Sequence, residues 1–401
     1  EAGGEDVGAF DVDVGVDEDE VPFSGDVNEG AGDDEVLVGG DNVGVDDVYV
    51  GVDDDEEFAA GDVNEGAGDD DVVAADDFAN DDVRLDFPEW SWDHVRTYAA
   101  IRRGDDYSYE QIRALADQDI VVLEKFNGHE THGSTEKGAL VAARRIKSLG
   151  TKVKILFYLN SMVHYEGYDA NKDFKEEWAL SNPSNNQPIK WRGKFLSYDH
   201  TNLEFREWWI QRGLDMLAHD EIDGIFIDAI CKISNAALVS IKGEAWVEQH
   251  GEAYLATAKQ LRERLPPGKI LIGNVLRAAS TDGNYRNLQY LDGSYLENWA
   301  DPQHLVMSIQ LMKKALNEGY LIMLNADMSY TDFGGIDSLD ARYDLLNQPE
   351  FIDFPLGCFL LVVEPHAYFS YHSGVDANPS KLDVFDNNRF EAITRKLGKP
   401  L

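Results

Sequence analysis

Two acidic residues stand where short apolar segments end, a position that suits acid–base chemistry. Asp228 closes the stretch Asp223-Gly-Ile-Phe-Ile-Asp228, and Glu297 lies beside aromatic rings in Tyr295-Leu-Glu297-Asn-Trp299. Cleavage of a glycosidic bond needs such a pair, because one carboxylic acid protonates the leaving oxygen and one carboxylate attacks carbon or activates water. We therefore predict Asp228 and Glu297 as catalytic residues. The competing interpretation of each is a carboxylate that only accepts hydrogen bonds from loop amides at a strand end.

The surroundings of the two carboxyl groups predict different roles for them. Tyr295, Leu296 and Trp299 lie close to Glu297 in the sequence, and apolar walls favour the protonated form that a general acid needs. Asp228 is expected between strands that end at Asn160 and Asn274, whose amides can hold a carboxylate ionised. Asp228 is therefore predicted as the nucleophile or general base, and the retaining mechanism is favoured.

Other polar and aromatic residues at predicted strand ends could bind a carbohydrate substrate. Aromatic faces stack on the apolar faces of sugar rings, while amides and carboxylates take the hydroxyl groups. Core packing is the competing interpretation for each aromatic residue. The histidines at 129, 132 and 164 lack metal-ligand spacing, so a histidine–metal hydrolase is disfavoured and no catalytic cofactor is predicted. The predicted substrate-binding residues are Glu124, Asn160, Tyr198, Asp199, Asn274, Trp299, Asn325 and Tyr371.

Short apolar segments alternate with amphipathic stretches over residues 84–401, a pattern typical of a parallel sheet covered by helices. The predicted strands are 119–126, 152–160, 222–229, 269–275, 291–297, 320–326 and 357–364. The predicted helices are 109–117, 136–149, 202–218, 245–265, 302–318 and 337–347. Seven or eight such units favour a closed (β/α)₈ barrel, whose functional residues gather at the carboxyl ends of the strands. A glycine-rich dinucleotide-binding turn is absent from the sequence.

The first 83 residues have a different composition, with 31 acidic side chains and neither Lys nor Arg. The ten residues from Gly25 to Asp34 recur identically from Gly61 to Asp70, and Val-rich runs such as 36–38 have the length of short strands. The oxygen-bearing side chains have a spacing that suits a hard cation such as Ca²⁺. A disordered acidic segment is the alternative. The predicted calcium ligands are Asp26, Asn28 and Asp34 in the first copy and Asp62, Asn64 and Asp70 in the second.

Charge and composition exclude several classes of function. The formal net charge is −41, which disfavours nucleic acid and anionic membrane surfaces because both need basic patches. No apolar run reaches the ~20 residues of a membrane-spanning helix. We expect a secreted or extracellular monomer, since removal of a signal peptide is compatible with a chain that starts at Glu1. Cys231 and Cys358 are placed at predicted barrel strands and are expected as buried free thiols rather than a disulfide.

The barrel segment resembles hypothetical glycosyl hydrolase-like family 15, and the acidic repeats resemble degenerate FG-GAP calcium-loop repeats. In the repeats, Gly30 and Gly66 stand where the FG-GAP loop has a further acidic ligand. The barrel resemblance covers about residues 84–401 and implies a glycosidase with Asp228 and Glu297 in the catalytic positions. The stretches that carry it are Phe87-Pro-Glu-Trp-Ser-Trp92, Glu124-Lys-Phe126, Tyr198-Asp199, Asp223-Gly-Ile-Phe-Ile-Asp228, Tyr295-Leu-Glu297-Asn-Trp299 and Leu397-Gly-Lys-Pro-Leu401.

A non-catalytic carbohydrate-binding or adhesion protein, displayed by calcium repeats, is the alternative function. Such a protein would keep the aromatic residues without needing a matched pair of carboxylates. The presence of both Asp228 and Glu297 therefore favours the enzyme.

Overall fold

The fold was described from a computed structural model, which defines nearly all of the segment predicted to form the barrel. The described residues are 87–191, 193–233, 236–278, 280, 283–297, 299, 304–326, 348–371 and 391–398, together with the strand 36–38. The predicted calcium ligands and the predicted helix 337–347 lie outside these residues.

Eleven strands are present in the described chain, and eight of them form one parallel sheet in the order β2-β3-β4-β7-β8-β9-β10-β11. The sheet closes on itself through a parallel bridge between Thr97 and Phe369, where the Phe369 N–H donates to the Arg96 carbonyl at 2.9 Å. The result is the predicted (β/α)₈-type barrel. In chain order the strands are β1 Val36–Val38, β2 Tyr98–Ile101, β3 Ile120–Leu123, β4 Lys154–Asn160, β5 Ile189–Trp191, β6 Phe195–Leu196, β7 Gly224–Asp228, β8 Ile270–Asn274, β9 Gly293–Leu296, β10 Leu321–Asn325 and β11 Ala367–Ser370.

Helices cover the outside of the barrel because each carries one apolar face. Helix α3, for example, begins after the Ser134 N-cap and buries Ala139, Ala143 and Ile146 at helical spacing. The helices in the described part are α1 Tyr109–Ala116, α2 His129–His132, α3 Thr135–Lys147, α4 Leu203–Leu217, α5 Ala236–Lys242, α6 Glu244–Arg264, α7 Leu305–Asn317, α8 Pro349–Leu360 and α9 Glu391–Thr394.

Strand periodicity determines which residues enter the barrel. Alternate residues such as Tyr158, Phe226, Ile272, Tyr295 and Met323 form a buried cluster inside it. Side chains on a strand alternate with a period of two. The residue two positions after each of these five therefore also faces the inside of the barrel, at the carboxyl end of its strand. Those positions hold Asn160, Asp228, Asn274, Glu297 and Asn325. The inward face of the barrel therefore ends in a ring of polar side chains.

Two of the barrel strands differ from the prediction. The predicted strand 357–364 is wrong: α8 occupies its first half and buries Ile352, Leu356 and Phe359 at helical spacing, and the strand follows at Ala367–Ser370. The first strand, Tyr98–Ile101, was not among the predicted strands. Its Tyr-Ala-Ala-Ile sequence is short and half alanine, which gives a weak β signal.

A small second sheet with the order β1-β5-β6 was not predicted. Its strands β5 and β6 lie in the connection between β4 and α4. Val36–Val38 pairs antiparallel with Ile189–Trp191, so one Val-rich run of the acidic segment forms a strand.

Both cysteines are free thiols, as predicted, but neither lies on a barrel strand. Cys231 is half-buried in a short 3₁₀ turn after β7, and Cys358 is half-buried in α8. Among the described residues, no helix has the length and apolar character needed to cross a membrane.

Candidate active site

Asp228 is held by four hydrogen-bond donors at the carboxyl end of β7. Its Oδ2 accepts from Tyr158 Oη at 2.5 Å and from Asn160 Nδ2 at 3.0 Å. Its Oδ1 accepts from Asn274 Nδ2 at 3.0 Å and from the backbone N–H of Ala229 at 2.7 Å. An ionised carboxylate only accepts hydrogen bonds, so these donors match the ionised form of Asp228.

The backbone around Asp228 adapts to this arrangement. Ala229 adopts a left-handed conformation with φ of 67°, which is rare for a residue with a Cβ. This conformation lets its N–H donate to the side chain of the preceding residue. Unfavourable backbone conformations of this kind gather at functional sites.

Asn160 is oriented by its own loop. Its Oδ1 accepts from the backbone N–H groups of Met162 and Val163 at 2.9 and 2.6 Å. Since the oxygen is occupied on that side, the amide nitrogen points toward Tyr158 Oη and Asp228. The amide that we expected to hold Asp228 is therefore fixed before any substrate arrives.

Asn274 connects the two predicted catalytic residues. Its Nδ2 lies 3.0 Å from Asp228 Oδ1 and 3.4 Å from Glu297 Oε2. These two distances add up to 6.4 Å, which is an upper limit on the separation of the two carboxylate oxygens. The barrel thus brings Asp228 and Glu297 together on one side of its mouth.

Glu297 also contacts an arginine that the sequence analysis did not single out. Arg277 Nη2 donates to Glu297 Oε2 at 2.5 Å, and its Nη1 donates to Asn274 Oδ1 at 2.8 Å. Burial disfavours the charge on Arg277, but the neighbouring Cys231, Glu297 and Asp228 outweigh it and raise the pKa of the guanidinium. Arg277 therefore remains a cation beside Glu297, so the surroundings of Glu297 are not the apolar walls expected from the sequence.

Glu124 follows β3 at the same end of the barrel and is buried. Its Oε2 lies 3.5 Å from the Nζ of Lys125, a buried ammonium group that also lies 5.2 Å from the ring centres of Tyr158 and Tyr165. Burial and the charges of Glu297 and Glu124 raise the pKa of Tyr98, an inward residue of β2. The mouth therefore contains a third carboxylate, paired with a cation.

Tyr198 and Asp199 lie outside the polar ring. Tyr198 is buried among aromatic side chains next to α4, and its hydroxyl is 3.1 Å from His164 Nδ1 and 3.4 Å from Arg212 Nη1. Asp199 Oδ1 accepts from the backbone N–H and the hydroxyl of Thr201, which forms a local turn before α4. These contacts indicate a structural contribution at both positions.

Three further predicted residues have different environments. Asn325 ends β10 on the inward face and is buried. Trp299 and Tyr371 belong instead to the apolar layer outside the barrel, where they are 0% and 1% exposed. Stacking of a sugar on either ring would require the outer layer to open, so the structure does not bring them to the site.

Two site residues were missed, for different reasons. Tyr158 lies inside the predicted strand 152–160 and was not singled out, although its spacing of two residues from Asn160 places both on one face. Arg277 lies three residues beyond the end of β8, in a loop whose path the local pattern does not predict. The described residues contain no group of three or more His, Cys, Asp or Glu side chains that could hold a metal ion.

Comparison with known proteins identifies a family. The sequence profile of hypothetical glycosyl hydrolase family 15 matches residues 147–401, which is more than half of the chain. A comparison with curated protein sequences found no significant match.

Solved structures with a similar arrangement include several glycosidases. Ega3 of Aspergillus fumigatus, in complex with galactosamine, is 13% identical with a TM-score of 0.36, over 59% of this chain and 77% of that one. The maltogenic α-amylase AmyB of Thermotoga neapolitana is 15% identical with a TM-score of 0.42, over 76% and 71%. The α-galactosidase AgaA of Geobacillus stearothermophilus is 12% identical with a TM-score of 0.42, over 74% and 41%.

Proposed function

Because the chain belongs to hypothetical glycosyl hydrolase family 15, we propose that it hydrolyses glycosidic bonds of a polysaccharide or oligosaccharide with Asp228 and Glu297 as the reacting carboxylates. The single observation that carries this proposal is the Asn274 amide, which donates to both of them. A shared donor fixes the two groups relative to each other. A pair fixed in this way at a barrel mouth is what the reaction needs.

Asp228 is the nucleophile in this proposal. It attacks the anomeric carbon while the bond from that carbon to the leaving oxygen breaks. Four donors orient the Asp228 carboxylate, and orientation of a reacting group lowers the barrier without further reorganisation.

Glu297 protonates the leaving oxygen. Asn274 and Arg277 both donate to Oε2, so the proton of the acid form is carried by Oε1. After the glycosyl–enzyme intermediate forms, the same carboxylate takes a proton from the attacking water.

The separation of the two groups supports the retaining mechanism. Retaining glycosidases place their carboxyl groups about 5–5.5 Å apart, and inverting enzymes about 6.5–9.5 Å apart. The upper limit of 6.4 Å between one pair of oxygens, Asp228 Oδ1 and Glu297 Oε2, is compatible with the retaining range.

Hydrolysis of a polysaccharide panel, followed by product analysis, tests the proposal. Asp228→Asn and Glu297→Gln should keep the fold and lower turnover by about 100-fold or more, the scale of lost acid–base help. Glu263→Gln, on the exposed side of α6, is the matched control and should retain wild-type turnover. A non-catalytic binding protein, the alternative function, would bind a glycan of the panel without releasing any product.

Two further proposals concern calcium binding by the acidic segment and secretion of the whole protein. We propose that Asp26, Asn28 and Asp34 bind one Ca²⁺ and that Asp62, Asn64 and Asp70 bind another, in a secreted, monomeric protein. Titration of the whole chain with millimolar Ca²⁺ should release heat, and an Asp26→Asn/Asp62→Asn variant should lose that heat. Absence of heat in the unaltered chain favours the disordered alternative.

A further inference from the structure

A buried polar network contacts the backbone carbonyl of Asp228, and Ser161 is its centre. The Ser161 N–H donates to the Asp228 carbonyl at 3.1 Å, and the Ser161 hydroxyl donates to the same oxygen. Ser161 also follows Asn160, whose side chain donates to the Asp228 carboxylate. The orientation of this one residue therefore affects both the backbone and the side chain of Asp228.

Two stacked rings bind the two polar ends of Ser161. His200 Nε2 lies 2.5 Å from the Ser161 carbonyl oxygen, and Tyr254 Oη donates to the Ser161 Oγ at 2.9 Å. The rings of His200 and Tyr254 are stacked, with centres 3.8 Å apart. His200 is 0% exposed and Tyr254 is 3% exposed, so the contacts are shielded from water.

The chemistry of the contacts determines the tautomer of His200. Burial and the neighbouring His250 lower the pKa of His200, so the ring carries a single proton. A carbonyl oxygen can only accept, which places that proton on Nε2. Nδ1 must then accept from the Thr257 hydroxyl, 2.9 Å away. The Ala253 carbonyl can accept from the same hydroxyl and therefore competes with Nδ1 for its one proton.

We propose that His200 is a positioning residue for Asp228 and acts through the Ser161 carbonyl, which fixes the tautomer of the ring. This inference rests on the proposed function, because it assigns a role in the same reaction. His200 holds the carbonyl of the peptide that joins Ser161 to Met162, and the N–H of the same peptide donates to Asn160 Oδ1 at 2.9 Å. Rotation of this peptide would release the Asn160 amide that donates to the Asp228 carboxylate. The His200 ring prevents that rotation, and Tyr254 fixes the hydroxyl that completes the chain of hydrogen bonds.

Four conservative variants test the role of His200. Thr257→Val removes the donor to Nδ1 at nearly constant volume, and Tyr254→Phe removes the donor to Ser161. Each should lower kcat about 3- to 10-fold, the scale of one lost hydrogen bond, and leave KM within about twofold of its wild-type value. His200→Gln keeps an N–H for the Ser161 carbonyl and should retain more of kcat than His200→Leu.

The matched control is Thr135→Val in α3, a buried threonine whose hydroxyl has no hydrogen-bond partner among the described residues. If His200 has only a structural role, kcat should change in proportion to the thermal midpoint in every variant. His200→Gln and His200→Leu should then have the same kcat. Wild-type kcat in Thr257→Val and Tyr254→Phe would overturn the positioning role. Asp228→Asn is assayed alongside: if it turns over at the wild-type rate, the proposed function fails, and the positioning role fails with it.

Discussion

Arg277 Nη2 lies 2.5 Å from Glu297 Oε2, and their side chains are 23% and 20% exposed. The same guanidinium holds Asn274, whose amide contacts both carboxylates. Arg277→Met should therefore lower kcat about 10-fold or more, because it loosens the acid and the shared amide together. Steady-state kinetics measure kcat, and Arg286→Met, outside the site, is the control. Equal kcat values in Arg277→Met and Arg286→Met would show that Arg277 does not position the two carboxylates.

Tyr158 Oη lies 2.5 Å from Asp228 Oδ2, the shortest of the four contacts described for this carboxylate. Tyr158→Phe removes only the hydroxyl from a buried ring. Since a hydrogen bond to a charged group is worth about 1.5–3 kcal/mol, kcat should fall about 10- to 100-fold in a variant that remains folded. An unchanged kcat in a folded variant would show that Tyr158 does not orient the nucleophile.

Acid should destabilise the fold through buried histidines, of which His200 is one and His164 and His250 are two more. Burial, with a contribution from Arg212, lowers the pKa of His164 to about 4, and burial lowers the pKa of His250 to about 4 against the charge of Asp199. The unfolded chain takes up these protons near its ordinary pKa of about 6.5. Stability is therefore complete above about pH 6.5 and falls as the pH drops toward 4, by at most ~1.4 kcal/mol per pH unit for each group.

Urea unfolding at pH 7.0, 6.0 and 5.0 measures this dependence. A His164→Gln/His250→Gln variant should lose part of the decline, although it starts from a lower stability at pH 7. If the free energy of unfolding falls equally with pH in the variant and in the unaltered chain, other groups cause the acid sensitivity.

Gly293 tests the barrel itself. A Cβ at this position would overlap the backbone carbonyl of Leu321 on the neighbouring strand β10. Gly293→Ala should therefore cost about 3 kcal/mol or more, since an overlap with backbone cannot relax by a side-chain rotation. Gly357→Ala in α8, where a Cβ meets no atom of the described residues within 4 Å beyond the backbone of its own helix, should leave the midpoint unchanged or raise it. Equal midpoints for the two variants would contradict the close pairing of β9 and β10.

Five barrel strands, β3, β4, β7, β8 and β10, were predictable because each is a mainly apolar run followed by or ending in a polar residue. Asp228 and Asn274 could be placed at the mouth for this reason. The sixth, β9, was predicted although its sequence is Gly-Ser-Tyr-Leu. The C-terminal strand could not, because residues 349–364 are apolar with both helical and extended character, and tertiary packing selects the helix.

The candidate site was predictable only in its inward-facing polar residues. Loop conformation decides where Arg277 goes, and no local periodicity describes a loop. His200 belongs to the Tyr198-Asp199-His200 stretch that was expected to bind sugar. The structure instead gives it contacts with Ser161 and Thr257, which come from distant parts of the chain.

Azide distinguishes the two carboxylates most directly. In a verified substrate whose leaving group needs no protonation, Asp228→Ala leaves space for azide to attack the anomeric carbon directly, with one inversion. Glu297→Ala keeps the glycosyl–enzyme step, so azide attacks the intermediate in a second inversion. NMR of the glycosyl azides should therefore show inverted configuration from Asp228→Ala and retained configuration from Glu297→Ala. The exchanged result would reverse the two roles, and wild-type hydrolysis by both variants would contradict the two-carboxylate site.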